Sequence, residues 1–115
     1  MTPDPLHTVD LPSQSIVEDA LLCALNMHTR PVDPPVMYDL LAERFNLTAQ
    51  QRHALLQRTK ENAWHNLVRQ ARRRLKDLGY IDRSISRQWL LSEAGRAKAR
   101  EREWQKSRTA DDLGL

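Results

Sequence analysis

The feature that most constrains the fold is an apolar pattern between positions 60 and 79 that recurs every three or four residues. This spacing places one apolar stripe along a helix predicted over residues 60–78. The stripe consists of Ala63, Trp64, Leu67, Val68, Ala71, Leu75 and Leu78. Gly79 follows at once, and glycine is the residue that most readily ends a helix in a left-handed conformation. The segment therefore predicts a long amphipathic helix, called the basic helix below, with one face in a core and the other in solvent.

Three shorter helical patterns precede the basic helix. The first ends at about residue 28, and the second starts near Pro35, because proline is well tolerated in the first turn of a helix. Thr48 caps the third pattern, which carries few apolar residues. This third helix is either continuous with the basic helix or separated from it by a kink near Thr59.

Two short strand patterns follow the basic helix. Residues 80–81 and 88–91 predict the strands of a β-hairpin whose polar tip is residues 82–87. Ser92 then caps a last helix that runs to about residue 107. Helices, hairpin and final helix in this order predict a mainly α fold, namely a winged helix-turn-helix with a three-helix core, a two-stranded wing and a C-terminal helix.

The length of 115 residues fits one domain. Residues 1–13 contain three prolines and little periodic pattern, which predicts a flexible arm. Residues 14–108 are expected to form the winged-helix domain with its C-terminal extension. Residues 109–115 are expected to be a frayed tail.

The charge is distributed unevenly along the chain. Residues 1–55 hold three basic and seven acidic side chains, whereas residues 56–110 hold fifteen basic and six acidic ones. A strongly cationic half is the electrostatic pattern expected of a protein that binds a polyanion such as double-stranded DNA.

The run AWHNLVRQARRRLKDLGYIDRS, followed by QWLLSEAG, resembles the N-terminal domain of Mrr-type restriction endonucleases. In that family a helix with an early tryptophan ends in a glycine plus an apolar pair, and a wing and a tryptophan-containing strand follow. The matching positions here are Trp64, Gly79, Ile81, Trp89, Leu91 and Gly95. The resemblance implies a winged-helix module that recognises DNA. Because no nuclease segment follows in this sequence, cleavage is not expected, and a regulator or a DNA-targeting module related to restriction systems fits better.

The polar residues of the basic helix form the candidate DNA-binding face. Unrolled at about 100° per residue, the face opposite Ala71 carries asparagine and arginine, which pair with base edges, and lysine, which suits phosphates. The candidates are Asn62, His65, Asn66, Arg69, Arg72, Arg73 and Lys76 on the basic helix, and Arg83, Ser84, Ser86 and Arg87 at the hairpin tip. The alternative interpretation is an ordinary solvated helix face.

Enzymatic chemistry finds little support in the sequence. The four histidines lack metal-ligand spacing, no glycine-rich phosphate loop is present, and Cys23 lies in an apolar run typical of a core. We therefore expect no catalytic residues, no metal and no cofactor. The lack of an apolar run of about 20 residues and of a signal peptide predicts a cytoplasmic protein without a membrane partner.

Winged helices also serve as protein-interaction or dimerisation adaptors, which is the rival hypothesis. Trp104 supports it, because a tryptophan on a helix with few other apolar residues must pack either onto its own chain or into a second subunit. A homodimer or a separate effector protein is therefore a possible partner.

Overall fold

The computed structural model describes residues 10–112, with side chains described through residue 103 and at residue 105. Five helices occur in this part of the chain. They are α1 (Gln14–Asn26), α2 (Pro34–Arg44), α3 (Ala49–His53), α4 (Ala63–Asp77) and α5 (Glu93–Asp112). The fold is mainly helical, as predicted. Most of the predicted N-terminal arm, the side chain of Trp104 and the end of the predicted tail lie outside the described residues.

The central helix is α1, which packs against α2, α4 and α5. Residues 20–25 are all buried, so this helix is covered around its whole circumference rather than along one stripe. Leu21 and Leu25 of α1 belong to the same buried cluster as Trp64 and Val68 of α4, and the two helices pack against each other. This packing fixes which face of α4 points outward.

Trp64 anchors the start of α4. Its indole Nε1 donates a hydrogen bond of 2.9 Å to the carbonyl oxygen of Tyr38 in α2, so the buried ring has a partner for its polar atom. The ring also meets Phe45 edge to face, at 5.9 Å between centroids. Gly79, at φ 84°, ends the helix as predicted.

The third helix is shorter than expected, and a turn separates it from α4. The backbone N–H of Leu56 donates to the oxygen of Glu61, the N–H of Ala63 donates to the oxygen of Ala54, and Leu55 pairs with Asn62. Residues 55–62 therefore form a hairpin-like segment, called the 55–62 turn below. The continuous helix was the wrong alternative, because Lys60 has φ 61°, which a right-handed helix cannot contain. The basic helix accordingly begins at Ala63 and not at residue 60.

Residues 80–92 fold back on themselves after α4 and are called the 80–92 hairpin. Ile81 pairs with Leu91, and two backbone hydrogen bonds of 2.9 Å flank this pair. Trp89 pairs with Val32, a residue between α1 and α2. Pairing among the described residues is limited to such single bridges, so the two predicted strands are represented by an antiparallel contact and not by longer strands.

The last helix seats the hairpin on the helical core. Gly95 lies so close to the backbone of Tyr80 that an added Cβ would overlap the carbonyl oxygen of that residue. Ser92 donates to the carbonyl oxygen of Gly79 at 2.7 Å and accepts from the N–H of Gly95 at 3.0 Å, which confirms it as the cap. The hairpin is therefore held against the helices from both sides.

Candidate nucleic-acid interface

The outer face of α4 forms one wall of an open cleft with a volume of about 430 Å³. The N-terminal end of α2 and the 80–92 hairpin form the other walls. Five of the residues predicted to bind DNA line it, namely Asn66, Arg69, Arg72, Arg73 and Arg87. Residues from two separate elements thus converge on a single cationic surface.

Arg72 lies at the floor of the cleft beside the indole of Trp89. Its guanidinium carbon is 5.9 Å from the ring centroid, at the outer limit of a cation–π contact. Trp89 in turn meets Tyr38 edge to face at 5.8 Å between centroids. The Nε atom of Arg72 is buried and has no hydrogen-bond partner among the described residues. This arginine is therefore held by packing, and the ion pairs found among the described residues do not include it.

Arg69 has an acidic neighbour, which the sequence analysis did not foresee. Its Nη2 lies 3.9 Å from Oε1 of Glu61, and both side chains are about half exposed. An exposed ion pair of this length contributes little, on the order of 0–1 kcal/mol. Arg69 is therefore available to exchange this partner for a phosphate or a base edge.

His65 stacks on Tyr38 at the start of α4. The ring centroids are 4.2 Å apart and the planes differ by 14°. Burial lowers the pKa of His65, and the positive charge of Arg69 lowers it further, against the opposing effect of Asp39. The histidine is thus neutral at pH 7 and contributes a flat ring to the cleft margin and not a fixed charge.

The side chain of Asn62 serves the fold. Its Oδ1 accepts a hydrogen bond of 3.0 Å from the N–H of His65, and its Nδ2 donates to the carbonyl oxygen of Arg52 at 2.8 Å. It is the N-cap of α4 and also ties α4 to α3. The prediction placed Asn62 on the reading face because it took the helix to begin earlier, whereas here both ends of the amide are already occupied.

The hairpin tip divides its predicted residues into two groups. Ser84 donates from both its N–H and its hydroxyl to Oδ1 of Asp82, which holds the pKa of that carboxyl below its usual value. Arg83 donates to the carbonyl oxygen of Lys76 at 3.3 Å, at the C-terminal end of α4. Ser86 and Arg87 are exposed, and Arg87 has φ 66°. Arg87 is thus the tip residue that the structure brings to the cleft.

Comparison of the sequence with models of protein families identifies the family of this domain. The model of the Mrr N-terminal domain matches residues 20–101, which is well over half of the chain. The chain belongs to the Mrr N-terminal domain family. The match extends from the second turn of α1 into α5 and includes every residue of the cleft, so the resemblance noted in the sequence is confirmed. No curated protein and no solved structure matches the chain significantly.

Sequence reasoning missed several residues around the cleft of this Mrr N-terminal domain. Gln70 lines it, and its position four residues after Asn66 and three before Arg73 was a usable signal. Tyr38, Glu61 and Trp89 also line it, but no periodicity in α4 could reveal them, because they come from other elements. Long-range packing brought them to the site.

The residues that the structure describes contain no group of three or more histidine, cysteine or acidic side chains able to hold a metal ion. Within the same range, no helix is both long enough and apolar enough to cross a membrane.

Proposed function

We propose that this Mrr N-terminal domain binds double-stranded DNA, with α4 in the major groove and the 80–92 hairpin acting as the wing of a winged helix. In this arrangement α4 is the recognition helix of a helix-turn-helix. The base of the wing is the antiparallel bridge between Ile81 and Leu91, and a second bridge joins Trp89 to Val32.

The observation that carries the proposal is the convergence of four arginines on one open cleft. Arg69, Arg72 and Arg73 come from α4, and Arg87 comes from the hairpin. Four positive charges at close quarters repel one another, so such a cluster is favourable when an anion lies between them. DNA phosphates supply that charge, and arginine matches their geometry with paired donors.

The proposal assigns different roles to the residues around the cleft. Asn66, Arg69 and Arg73 point outward from the middle of α4, where base edges would lie, and we assign them to base reading. The phosphate contacts are assigned to Arg72, Lys76, Arg83 and Arg87. His65 and Ser86 lie at the margins and would contribute polar contacts.

The biological role that fits the family is DNA targeting in a restriction-related system, or transcription regulation by the same recognition mode. We propose that the domain supplies recognition without cleaving, and that it acts in the cytoplasm with a separate effector. The absence of DNA cleavage can be tested directly. Supercoiled plasmid incubated with the protein and Mg²⁺ is expected to stay uncut.

The experiment that tests DNA binding is a salt titration of affinity for duplex DNA. If five or six phosphates are neutralised, the logarithm of the binding constant should fall with the logarithm of salt concentration with a slope of about −4 to −6. The double variant Arg44→Gln/Arg100→Gln, which removes two exposed cations outside the cleft, serves as a charge-matched control and should keep that slope. Absence of binding at about 50 mM salt would contradict the proposal.

A second groove, which shares no lining residue with the arginine cleft, favours the adaptor hypothesis as a second candidate. Its volume is about 500 Å³, and its lining includes Ile16, Phe45 and Glu103. Ile16 is 54% exposed, which is unusual for so large an apolar side chain beside a groove. Sedimentation of the wild-type protein and of Ile16→Glu tests this candidate, because a dimer formed through this groove would dissociate in the variant.

A further inference from the structure

The 55–62 turn carries two cations that no prediction included. Arg58 and Lys60 are both exposed at its tip. Backbone hydrogen bonds close the turn beneath them, from Leu56 N–H to the oxygen of Glu61 at 2.8 Å and from Lys60 N–H to the oxygen of Leu56 at 2.9 Å. The tip therefore projects two positive charges from an ordered base.

This turn lies directly at the N-terminal end of α4. Asn62 ends the turn and caps α4 at the same time, so the two elements share a residue. Glu61 lines the arginine cleft and contacts Arg69, which lies two turns further along the helix. The turn thus adjoins the arginine cleft at the start of α4.

The turn and the 80–92 hairpin share an uncommon backbone feature. Lys60 has φ 61° and Arg87 has φ 66°, and Asn46 is the remaining described residue other than glycine with positive φ. Glycine and asparagine adopt this conformation most easily, whereas a long side chain is disfavoured there. Each of the two loops beside α4 therefore has a cation at a left-handed backbone position, which a long side chain disfavours. This indicates that the positive charge has a function there.

We propose that the 55–62 turn is a second phosphate-binding element, in which Arg58 and Lys60 contact the DNA backbone across the groove from the hairpin. The inference rests on the proposed function. The 15 residues of α4 span about 22 Å, whereas the major groove is about 12 Å wide, so the two ends of the helix can reach both backbones. At the C-terminal end of α4, Arg83 is held by its hydrogen bond to the carbonyl oxygen of Lys76. At the N-terminal end, the 55–62 turn supplies the cations.

The test is the double variant Arg58→Gln/Lys60→Asn, compared with Arg44→Gln/Arg100→Gln. Asparagine is chosen at position 60 because it tolerates positive φ, and equal melting temperatures would confirm that the fold is kept. The salt slope for duplex DNA should become shallower by about two units in the turn variant and stay unchanged in the control. In phosphate-ethylation interference, the turn variant should lose the phosphates of one backbone whose ethylation blocks binding. The phosphates that depend on Arg87 should remain.

The outcomes separate this inference from the proposed function. If the wild-type protein binds duplex DNA and the turn variant keeps both its salt slope and its full set of phosphate contacts, the turn is not a binding element and the proposed function still stands. If the wild-type protein does not bind duplex DNA, the proposed function fails and this inference fails with it. The single variant Arg58→Gln, expected to change the slope by about one unit, decides the matter if the double variant is unstable.

Discussion

Two helices of this domain are rich in basic residues, and they use them differently. In α5 three cations have partners within the protein: Lys98 lies 3.3 Å from Glu101, Arg102 lies 3.7 Å from Asp19, and Arg96 donates to the carbonyl oxygen of His28 at 2.8 Å. In α4, Arg69, Arg72 and Arg73 face the cleft, and among the described residues the one ion pair of this helix is the long contact of Arg69 with Glu61.

The difference shows that the role of basic residues on a helix depends more on the groups around them than on their number. In α5, Arg96 and Arg102 contact α1 or the residues that follow it, so these two cations help to hold α5 on the core. Those of α4 have no acid within the helix before Asp77, and three of them, Arg69, Arg72 and Arg73, face an open cleft. We therefore propose that α5 stabilises the fold, while the outer face of α4 binds DNA.

The largest expected effect concerns the inner face of α4. Trp64→Ala removes a side chain that is only 1% exposed, together with its hydrogen bond to Tyr38. We expect the free energy of unfolding to fall by about 3 to 5 kcal/mol, which is much of the stability of so small a domain. Chemical denaturation measures this, and a loss below about 1 kcal/mol would show that α4 is not anchored as described.

The next effect tests the structural role of α5. Gly95→Ala would place a Cβ against the carbonyl oxygen of Tyr80, so the helix and the hairpin must move apart. Overpacking of this kind destabilises by about 1 to 3 kcal/mol. Ala94→Gly, on the exposed side of the same turn, is the control, with a loss of only about 1 kcal/mol. A melting temperature for Gly95→Ala above that of the control would contradict the close approach.

Arg87→Gly separates stability from binding. Position 87 has positive φ, which glycine adopts without strain, so the variant should melt at or above the wild-type temperature. The lost phosphate contact should make the salt slope for duplex DNA shallower by about one unit. An unchanged slope with unchanged affinity would remove Arg87 from the interface.

The smallest effect is a pH dependence from His65. Burial and Arg69 keep its pKa below the ordinary value of about 6.5, so lowering the pH protonates the unfolded form first and the free protein loses stability below that value. A nearby phosphate favours the charged ring, so DNA affinity should rise between about pH 7 and pH 5.5. His65→Gln should reduce this rise, and an identical pH profile in the variant would place His65 away from the phosphates.

Much of the helical framework could be predicted from the sequence because it depends on local patterns. The 3–4 spacing in α4, the stop at Gly79 and the cap at Ser92 are all readable from neighbouring residues, and all were found in the structure. The 55–62 turn was harder. Residues 48–58 read as a helical pattern, but the left-handed Lys60 and the pairing of Leu55 with Asn62 interrupt it.

The candidate site was predictable only where it lies on one element. Arg69 and Arg73 could be placed on one face by geometry alone, with Arg72 flanking that face. Three other features depend on tertiary contacts that no local pattern contains. Arg87 joins these arginines at the cleft, Trp89 lies beside Arg72, and the side chain of Asn62 bonds to α3. The misplacement of Asn62 followed directly from starting α4 three residues too early.

The most direct test of the central claim compares binding to duplex DNA by Arg69→Ala/Arg73→Ala, on α4, with binding by Arg44→Ala/Arg100→Ala, outside the cleft. Both pairs are exposed, so the melting temperatures should stay close to that of the wild-type protein. We predict that the α4 pair weakens specific binding by about 1 to 3 kcal/mol per arginine that reads a base, and that the other pair binds almost normally. Equal binding by the two pairs, or a larger loss in the pair outside the cleft, would contradict the assignment of α4 as the DNA-binding face.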